Sequence, residues 1–210
     1  MKLVLCFLSS YLLGSIPVGL IMSRVVKGID IREHGSGNIG ATNVFRVVGK
    51  KWGLLVLVLD VLKGYLAIQA ARISFQGALP VVWLLALGLT PIFGHSFPIW
   101  LSFKGGKGVA TSLGVFLGVF FLPTFLTFLF WCLVFALSRV ISIASLSSAV
   151  LFPGIVYFFL RNSPDALFYF CVAFFCQALS SILIAATFGG FFEVKKSGYF
   201  KFIKINIYLI

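Results

Sequence analysis

Charged residues are scarce in this chain. They make up only 10% of its 210 residues, whereas 60% are hydrophobic and the mean hydropathy is +1.11. Because soluble domains carry about a quarter charged residues, this composition excludes a soluble globular domain. It predicts an all-α, polytopic membrane protein with one membrane domain and no room for a sizeable soluble one.

Sequence motifs of metal, redox and nucleotide chemistry are also missing. The four cysteines lie in apolar segments without CxxC spacing or a neighbouring histidine cluster, so we interpret them as small hydrophobic residues. No GxxxxGK[ST] loop occurs, which excludes a Walker A site. The net charge of +12 does not indicate nucleic-acid binding, because basic residues also retain the loops of membrane proteins in the cytoplasm.

Apolar segments account for most of the chain. Several of them are shorter than the roughly 20 residues that cross a bilayer, and we expect these to be tilted or partly re-entrant. Pro123 is expected to mark a turn between the fourth and fifth segments. The seven predicted segments are residues 3–26, 52–73, 79–93, 109–122, 124–137, 141–160 and 166–186.

Basic residues predict the orientation of these segments. Each span carries the chain across the membrane, so every second connection lies on the same side. Most basic residues lie in the connections of one side, which is expected to be the cytoplasm. The N-terminus is then outside and the C-terminus inside. The cationic residues on the predicted cytoplasmic side are Arg24, Lys27, Arg32, Arg46, Lys50, Lys51, Lys104, Lys107, Arg139, Lys195, Lys196, Lys201 and Lys204.

The first polar stretch, residues 35–46, has the sequence GSGNIGATNVFR. Its polar groups would go unsatisfied in lipid, so it is expected to line a wet cleft at the membrane surface. Glycines allow backbone N–H groups to converge on an anion, and Arg46 supplies a planar fork for phosphate or carboxylate. A flexible loop is the alternative interpretation, since glycine and asparagine are common in turns.

The second polar stretch, residues 94–111, has the sequence GHSFPIWLSFKGGKGVAT. Lys104 and Lys107 alternate with glycines directly before the fourth predicted segment. Two ammonium groups, backbone N–H groups and a helix N-terminus together predict a phosphate cradle. His95 is a candidate general base, although a histidine beside a proline turn is more often a structural hydrogen-bonding residue.

Asp60 and Lys63 lie in the second apolar segment, three residues apart. This spacing allows an ion pair on one face of a helix. A charge pair inside a membrane is either a functional site or a neutralised anchor between helices, and both interpretations stay open.

The two polar stretches and the Asp60–Lys63–Gly64 group resemble one family in order and spacing, over about residues 14–160. It is the bacterial membrane glycerol-3-phosphate acyltransferase family that uses acyl phosphate as donor. The resemblance implies seven spans, a cytoplasm-facing active site in the cell inner membrane and no metal or other cofactor. It also implies that acyl phosphate and glycerol 3-phosphate give lysophosphatidic acid, which is the first step of phospholipid synthesis. A functional link to an enzyme that forms acyl phosphate is expected as well.

The resemblance also implies roles for individual residues. Ser36 and Arg46 are expected to be catalytic, and Ser142 and Ser145 to add hydroxyl donors. The expected substrate- and phosphate-binding residues are Gly37, Asn38, Gly40, Thr42, Asn43, His95, Lys104, Gly105, Gly106, Lys107, Gly108 and Ser142.

The C-terminal region departs from this family. The family carries a third motif, HxxNIxRLxxGxE, whose His and Asn belong to the active site, but residues 181–196 contain neither. We therefore divide the chain into a membrane acyltransferase domain, residues 1–186, and an atypical basic tail, residues 187–210. We hypothesise that the chain after about Leu179 is translated in a shifted frame, because suitable third bases in the codons from Leu183 onward give HRSNIRRLFRGEE, which satisfies the motif.

Two other functions remain as alternatives. A transporter of a phosphorylated anion would explain the basic loops, but it predicts inverted repeats and a continuous polar path, and the sequence shows neither. A catalytically impaired family member would explain the missing third motif.

Overall fold

The structure is a computed structural model that describes residues 1–139, 141–164, 166, 169 and 171, with the backbone alone at residues 141 and 142. Every regular element among these residues is helical, which confirms the all-α prediction. Two 3-10 turns, Ile31–Glu33 and Ile99–Leu101, accompany the helices. The helices are α1 (Lys2–Ser15), α2 (Val18–Lys27), α3 (Ala41–Val47), α4 (Lys50–Ser74), α5 (Val81–Ser96), α6 (Val109–Val119), α7 (Phe121–Ser138) and α8 (Ile141–Leu160).

Five helical segments of the described chain are long and apolar enough to cross a membrane, and the shorter helix α6 is apolar as well. Their surfaces carry large apolar side chains, such as Val58, Leu137 and Val150, which are 52%, 78% and 80% exposed. Such surfaces are stable against lipid and costly in water. The chain is therefore a multi-pass membrane protein. The predicted seventh segment, residues 166–186, lies almost wholly outside the described residues.

Two prolines account for local differences from the prediction. The first span is broken between α1 and α2, because Ile16 precedes Pro17 and adopts an extended conformation. Pro123 does not form the turn between the fourth and fifth segments. It lies in the first turn of α7, where a proline is tolerated, and the break falls at Phe120 instead.

The first compact unit, Met1–Phe121, is built around α4. The most extensive helix packing is between α4 and α6 and between α1 and α5. Glycines permit the first of these contacts, since a side chain on Gly64 would overlap the carbonyl of Thr111 and one on Gly114 would overlap that of Val61. Close approach of small residues is a common way to pack membrane helices.

The connections of this unit place both polar stretches at the same end. The chain from α2 to α4 forms the first connection, and α4 then crosses to the opposite end. Helix α5 returns, so the chain between α5 and α6 lies at the end where the first connection began. The fold thus brings together two stretches that are about sixty residues apart in sequence.

The second compact unit covers residues 122–210 and is described only in part. It contains most of α7 and the whole of α8, joined by a hydrogen bond of 3.2 Å from Trp131 Nε1 to Ser145 Oγ. The boundary predicted between residues 186 and 187 lies outside the described residues and stays a prediction.

Candidate active site

Asn43 holds the first polar stretch together from its buried side. Its side chain is buried, with a relative exposure of 2% for the residue. The amide nitrogen donates to the carbonyl oxygens of Ile31, His34 and Asn38 at 3.2, 2.9 and 2.9 Å, while Oδ1 accepts from Ser36 N at 2.9 Å. One side chain therefore fixes the path of the loop before α3.

Asp30 fixes the beginning of the same loop. Its carboxylate accepts from Arg32 Nε at 2.9 Å and Nη2 at 2.6 Å, and from Arg24 Nη2 at 2.9 Å. The hydrogen bonds from Arg32 hold the pKa of Asp30 well below its usual range. Lys27 Nζ adds a bond of 2.6 Å to the carbonyl of Val47 at the end of α3. The loop is thereby tied to α2 at its start and at its end.

Three polar side chains of this stretch lie on its exposed surface, unlike the buried Asn43. Ser36, Thr42 and Arg46 are exposed, and Thr42 and Arg46 are one helical turn apart in α3. Asn38 instead turns back on the loop, since its Oδ1 accepts from Gly40 N at 2.8 Å. Gly37 has φ +70°, a conformation that a residue with a side chain rarely adopts. The stretch is thus a shaped loop with Ser36 and Arg46 on its outer surface.

The second polar stretch folds back onto the end of α5. Gly105 N donates to the carbonyl of Ser96 and Gly106 N to that of His95, both at 3.0 Å. A side chain on Gly106 would overlap the imidazole of His95. Both N–H groups are therefore bonded to α5 in this conformation. The glycines let the loop approach the helix closely, and the ammonium groups of Lys104 and Lys107 carry its positive charge.

The residues before and after this loop have unusual backbone conformations. Ser102 and Phe103 have φ +50° and +63°, although neither is glycine. Such residues cost on the order of 1–3 kcal/mol each and are common at functional sites. Gly108, with φ +72°, then precedes α6, whose first residue is Val109. The helix begins directly after the loop, as predicted, so its N-terminal dipole lies beside the two lysines.

Arg46 of the first polar stretch lies within electrostatic range of Lys107 of the second. Lys104 is exposed and Lys107 is half-buried. Burial lowers the pKa of the Lys107 ammonium, and the positive charge of Arg46 lowers it further. Two cations from separate parts of the sequence are therefore close enough to repel each other.

A buried polar cluster lies beneath the second stretch. Lys63 Nζ is 2.9 Å from Asp60 Oδ1, which confirms the predicted ion pair within α4. The contact is ionic rather than a well-aligned hydrogen bond. Lys63 Nζ also lies 2.9 Å from His95 Nδ1 and donates to the carbonyl of Ile16 at 3.1 Å. His95, the candidate base, is only 5% exposed and is engaged by Lys63.

Sequence reasoning found most members of this arrangement but missed two. The carbonyl of Ile16 had a signal in Pro17, because a proline breaks the helix and changes where the preceding carbonyl points. Tyr11, whose hydroxyl donates to the carbonyl of Phe97 at 2.8 Å, gave no signal. The side chain of Ser142 and residues 181–196 lie outside the described residues. Within the described part, no group of three His, Cys, Asp or Glu residues could hold a metal ion.

Comparison with protein families finds one match over most of the chain. Residues 4–189 match the family described as glycerol-3-phosphate acyltransferase. A glycerol-3-phosphate acyltransferase from Thermosynechococcus vestitus is 46% identical over 164 residues, which cover 75% of this chain and 78% of that protein. One from Prochlorococcus marinus is 40% identical over 179 residues, covering 85% and 88%.

Solved structures agree with these sequence matches. The crystal structure of PlsY, an integral membrane glycerol 3-phosphate acyltransferase, in its glycerol 3-phosphate form has a TM-score of 0.77 and 35% identity to this chain. The match covers 91% of this chain and 92% of that one. The lysophosphatidic acid form of the same protein matches with a TM-score of 0.76 and 35% identity.

Proposed function

Because the chain belongs to the glycerol-3-phosphate acyltransferase family, we propose that it transfers an acyl group to the sn-1 hydroxyl of glycerol 3-phosphate. The product is lysophosphatidic acid. As a multi-pass membrane protein, it can keep a lipid product in the bilayer while it takes a polar acceptor from water.

The family match over residues 4–189 carries this proposal, and the electrostatic interaction between Arg46 and Lys107 supports it. Like charges close together are unfavourable, and a phosphate between or beside them removes that cost. The N-terminus of α6 adds a favourable field for the same anion. Two cationic side chains and a helix terminus are a suitable site for the phosphate of glycerol 3-phosphate.

Acyl phosphate is the proposed donor. It is a mixed anhydride, so the acceptor hydroxyl oxygen attacks the acyl carbon and the bond from that carbon to the phosphate oxygen breaks. Inorganic phosphate leaves and takes up the proton that the hydroxyl loses. The protein then has mainly to position the hydroxyl and stabilise negative charge, which requires neither a metal nor another cofactor.

The described geometry supports a division of labour among the site residues. Ser36 and Arg46 contact the reacting groups, and Lys104 and Lys107 bind phosphate. Asn43, Gly105 and Gly106 act by shaping the two loops, since their polar backbone or amide groups are bonded within the protein. Further proposed contributors to substrate binding are Gly37, Asn38, Gly40, Thr42, Gly108 and Ser142.

The decisive experiment is an assay of the purified protein with synthetic acyl phosphate and glycerol 3-phosphate. We expect lysophosphatidic acid and inorganic phosphate in equal amounts, and no product when acyl-CoA replaces the donor. Product from acyl-CoA alone would contradict the donor assignment. Binding of glycerol 3-phosphate is measured in parallel, because binding without turnover is the result expected of the impaired family member.

A second experiment separates the acceptor site from the missing third motif. Sequencing the gene tests whether the codon of Leu183 ends in C and the codon of Ala186 ends in A, as the shifted-frame hypothesis requires. Where the codons fit, restoring the frame is expected to raise turnover while leaving the affinity for glycerol 3-phosphate within about twofold, because both loops precede the altered region. Other codons at these two positions would refute the hypothesis.

We also propose that both loops face the cytoplasm of a bacterial inner membrane, near the enzyme that forms acyl phosphate. Cysteines are placed at Glu33, Ser102 and Asn162, all exposed, in a variant without native cysteines. In intact cells, a membrane-impermeant thiol reagent is expected to label position 162 and to spare positions 33 and 102. The opposite pattern would invert the orientation.

A further inference from the structure

Three titratable side chains are buried together in the first unit and are not accounted for by the proposed chemistry. Asp60, Lys63 and His95 are 2%, 5% and 5% exposed. Burying charges in a membrane protein is expensive, and an ion pair compensates only when its remaining polar groups find partners. A pair neutralised within α4 alone would need no partner elsewhere, whereas Lys63 also contacts His95 in α5 and the carbonyl of Ile16. The cluster extends further than that.

Lys63 joins three separate parts of the fold. Its ammonium contacts Asp60 Oδ1 one turn away in α4, His95 Nδ1 in α5, and the carbonyl of Ile16 at the break between α1 and α2, at 2.9, 2.9 and 3.1 Å. The contacts to the carbonyl of Ile16 and to His95 Nδ1 have hydrogen-bond geometry, and the contact to Asp60 is ionic. When Lys63 donates to Nδ1, the ring proton of His95 is assigned to Nε2.

His95 transmits this arrangement to the glycine-rich loop. Its carbonyl accepts from Gly106 N, and the next carbonyl, that of Ser96, accepts from Gly105 N. The ring itself lies against Gly106, where any Cβ would overlap Nε2. The loop between Lys104 and Lys107 therefore rests on a histidine whose ring is fixed by Lys63.

We infer that Lys63, held by Asp60, is a positioning residue that acts through His95 to place the Lys104–Lys107 loop for the phosphate of the acceptor. The inference rests on the proposed function, because that function places glycerol 3-phosphate at this loop. It assigns the buried cluster to acceptor affinity rather than to fold stability alone. Without Lys63 the ring loses its hydrogen-bond partner at Nδ1, and its packing against Gly106 is no longer fixed from that side. Asp60 Oδ1, 3.5 Å from Nδ1, remains near the ring.

The test is a Lys63→Met variant, which keeps an unbranched side chain and removes the ammonium. Per folded molecule, KM for glycerol 3-phosphate is expected to rise about tenfold or more, with kcat and the KM of the donor changed less than about threefold. Lys2→Met, which removes an exposed lysine from the first residue of α1, is the matched control and is expected to keep the wild-type KM. A purely structural cluster would lower the folded yield without changing KM.

Two further variants keep the test decisive should Lys63→Met fail to fold. His95→Asn retains an acceptor near the position of Nδ1 but lacks the ring beneath Gly106, and Asp60→Asn keeps the shape of the carboxylate without its charge. Both are expected to raise KM for glycerol 3-phosphate, and His95→Ala is expected to raise it further than His95→Asn. Folded variants with the wild-type KM would overturn the inference.

Equilibrium binding of glycerol 3-phosphate distinguishes this inference from the proposed function. Wild-type binding without lysophosphatidic acid formation, together with at least tenfold weaker binding by Lys63→Met, would refute the activity and support the positioning role. Formation of lysophosphatidic acid by the wild type, with unchanged binding by the folded variant, would overturn the positioning role and leave the activity standing.

Discussion

The two polar loops are held in place by different forces. The first, residues 30–46, is shaped by a neutral amide, Asn43, and by a carboxylate–arginine group near water. The second, residues 95–108, rests on a charged cluster buried between helices. Surface ion pairs are weak and are screened by salt, whereas buried charges are costly to leave unpaired. The second loop therefore depends on buried charges in the interior of the bundle, and the first depends on its own buried amide and on contacts with α2 near the surface.

Substitutions at the outer surface of the first loop are expected to have the largest effect on activity. Arg46→Lys keeps the charge and loses the planar fork, and Ser36→Ala removes a hydroxyl. Each is expected to lower kcat/KM by about 100-fold or more while leaving expression and helicity unchanged. The measurement is the initial rate of lysophosphatidic acid formation by purified variants. Unchanged turnover by Arg46→Lys would remove Arg46 from the site.

Substitution of Asn43 tests whether the first loop is held in place by this neutral amide. Asn43→Ala leaves the carbonyls of Ile31, His34 and Asn38 without their common donor, so we expect a loss of about 1–3 kcal/mol in the free energy of unfolding. Asn43→Asp is expected to be worse, because a carboxylate would face the same carbonyls. Asn162→Ala, at an exposed asparagine, is the control.

Thermal unfolding and glycerol 3-phosphate affinity are measured for these variants. A stability of Asn43→Ala equal to that of the control would show that the loop does not depend on the amide.

Part of this arrangement could be predicted from the sequence. Long apolar runs predicted the spans, and the i,i+3 spacing predicted the Asp60–Lys63 pair, because helical neighbours are a local property of sequence. The concentration of polar residues also identified both loops. These features depend on residues close to one another along the chain.

The supporting contacts could not be predicted in the same way. The contact between Lys63 and His95 joins residues 32 positions apart, and it depends on how α4 packs against α5. Likewise, the resemblance implied that Asn43 binds substrate, which stays a prediction, but not that its buried amide would bond to three carbonyls of the loop. The glycine pattern predicted convergent N–H groups at Gly105 and Gly106, but the return of the loop to α5 engages both.

A smaller, pH-dependent effect is expected at Lys107. Burial and Arg46 lower the pKa of its ammonium in the free protein, and a bound phosphate dianion would raise that pKa again. At pH values where the phosphate is already a dianion, binding of glycerol 3-phosphate is expected to take up protons as the pH approaches the lowered pKa of Lys107 in the free protein. The affinity for glycerol 3-phosphate is then expected to fall as the pH rises through the pKa of the Lys107 ammonium in the free protein.

Calorimetry in two buffers of different ionisation enthalpy measures this proton uptake. Lys107→Met is expected to abolish it. Uptake that persists in Lys107→Met would assign the proton to another group.

We propose that the two loops, despite their different supports, form one anion site. A double-mutant cycle on the affinity for glycerol 3-phosphate tests it most directly, with Arg46→Gln, Lys107→Met and the double variant measured by equilibrium binding, so that turnover is not required. We predict that each single variant weakens binding and that the double variant departs from the product of the two effects by at least about threefold. Independent effects that multiply, or a single variant with unchanged affinity, would contradict a shared site.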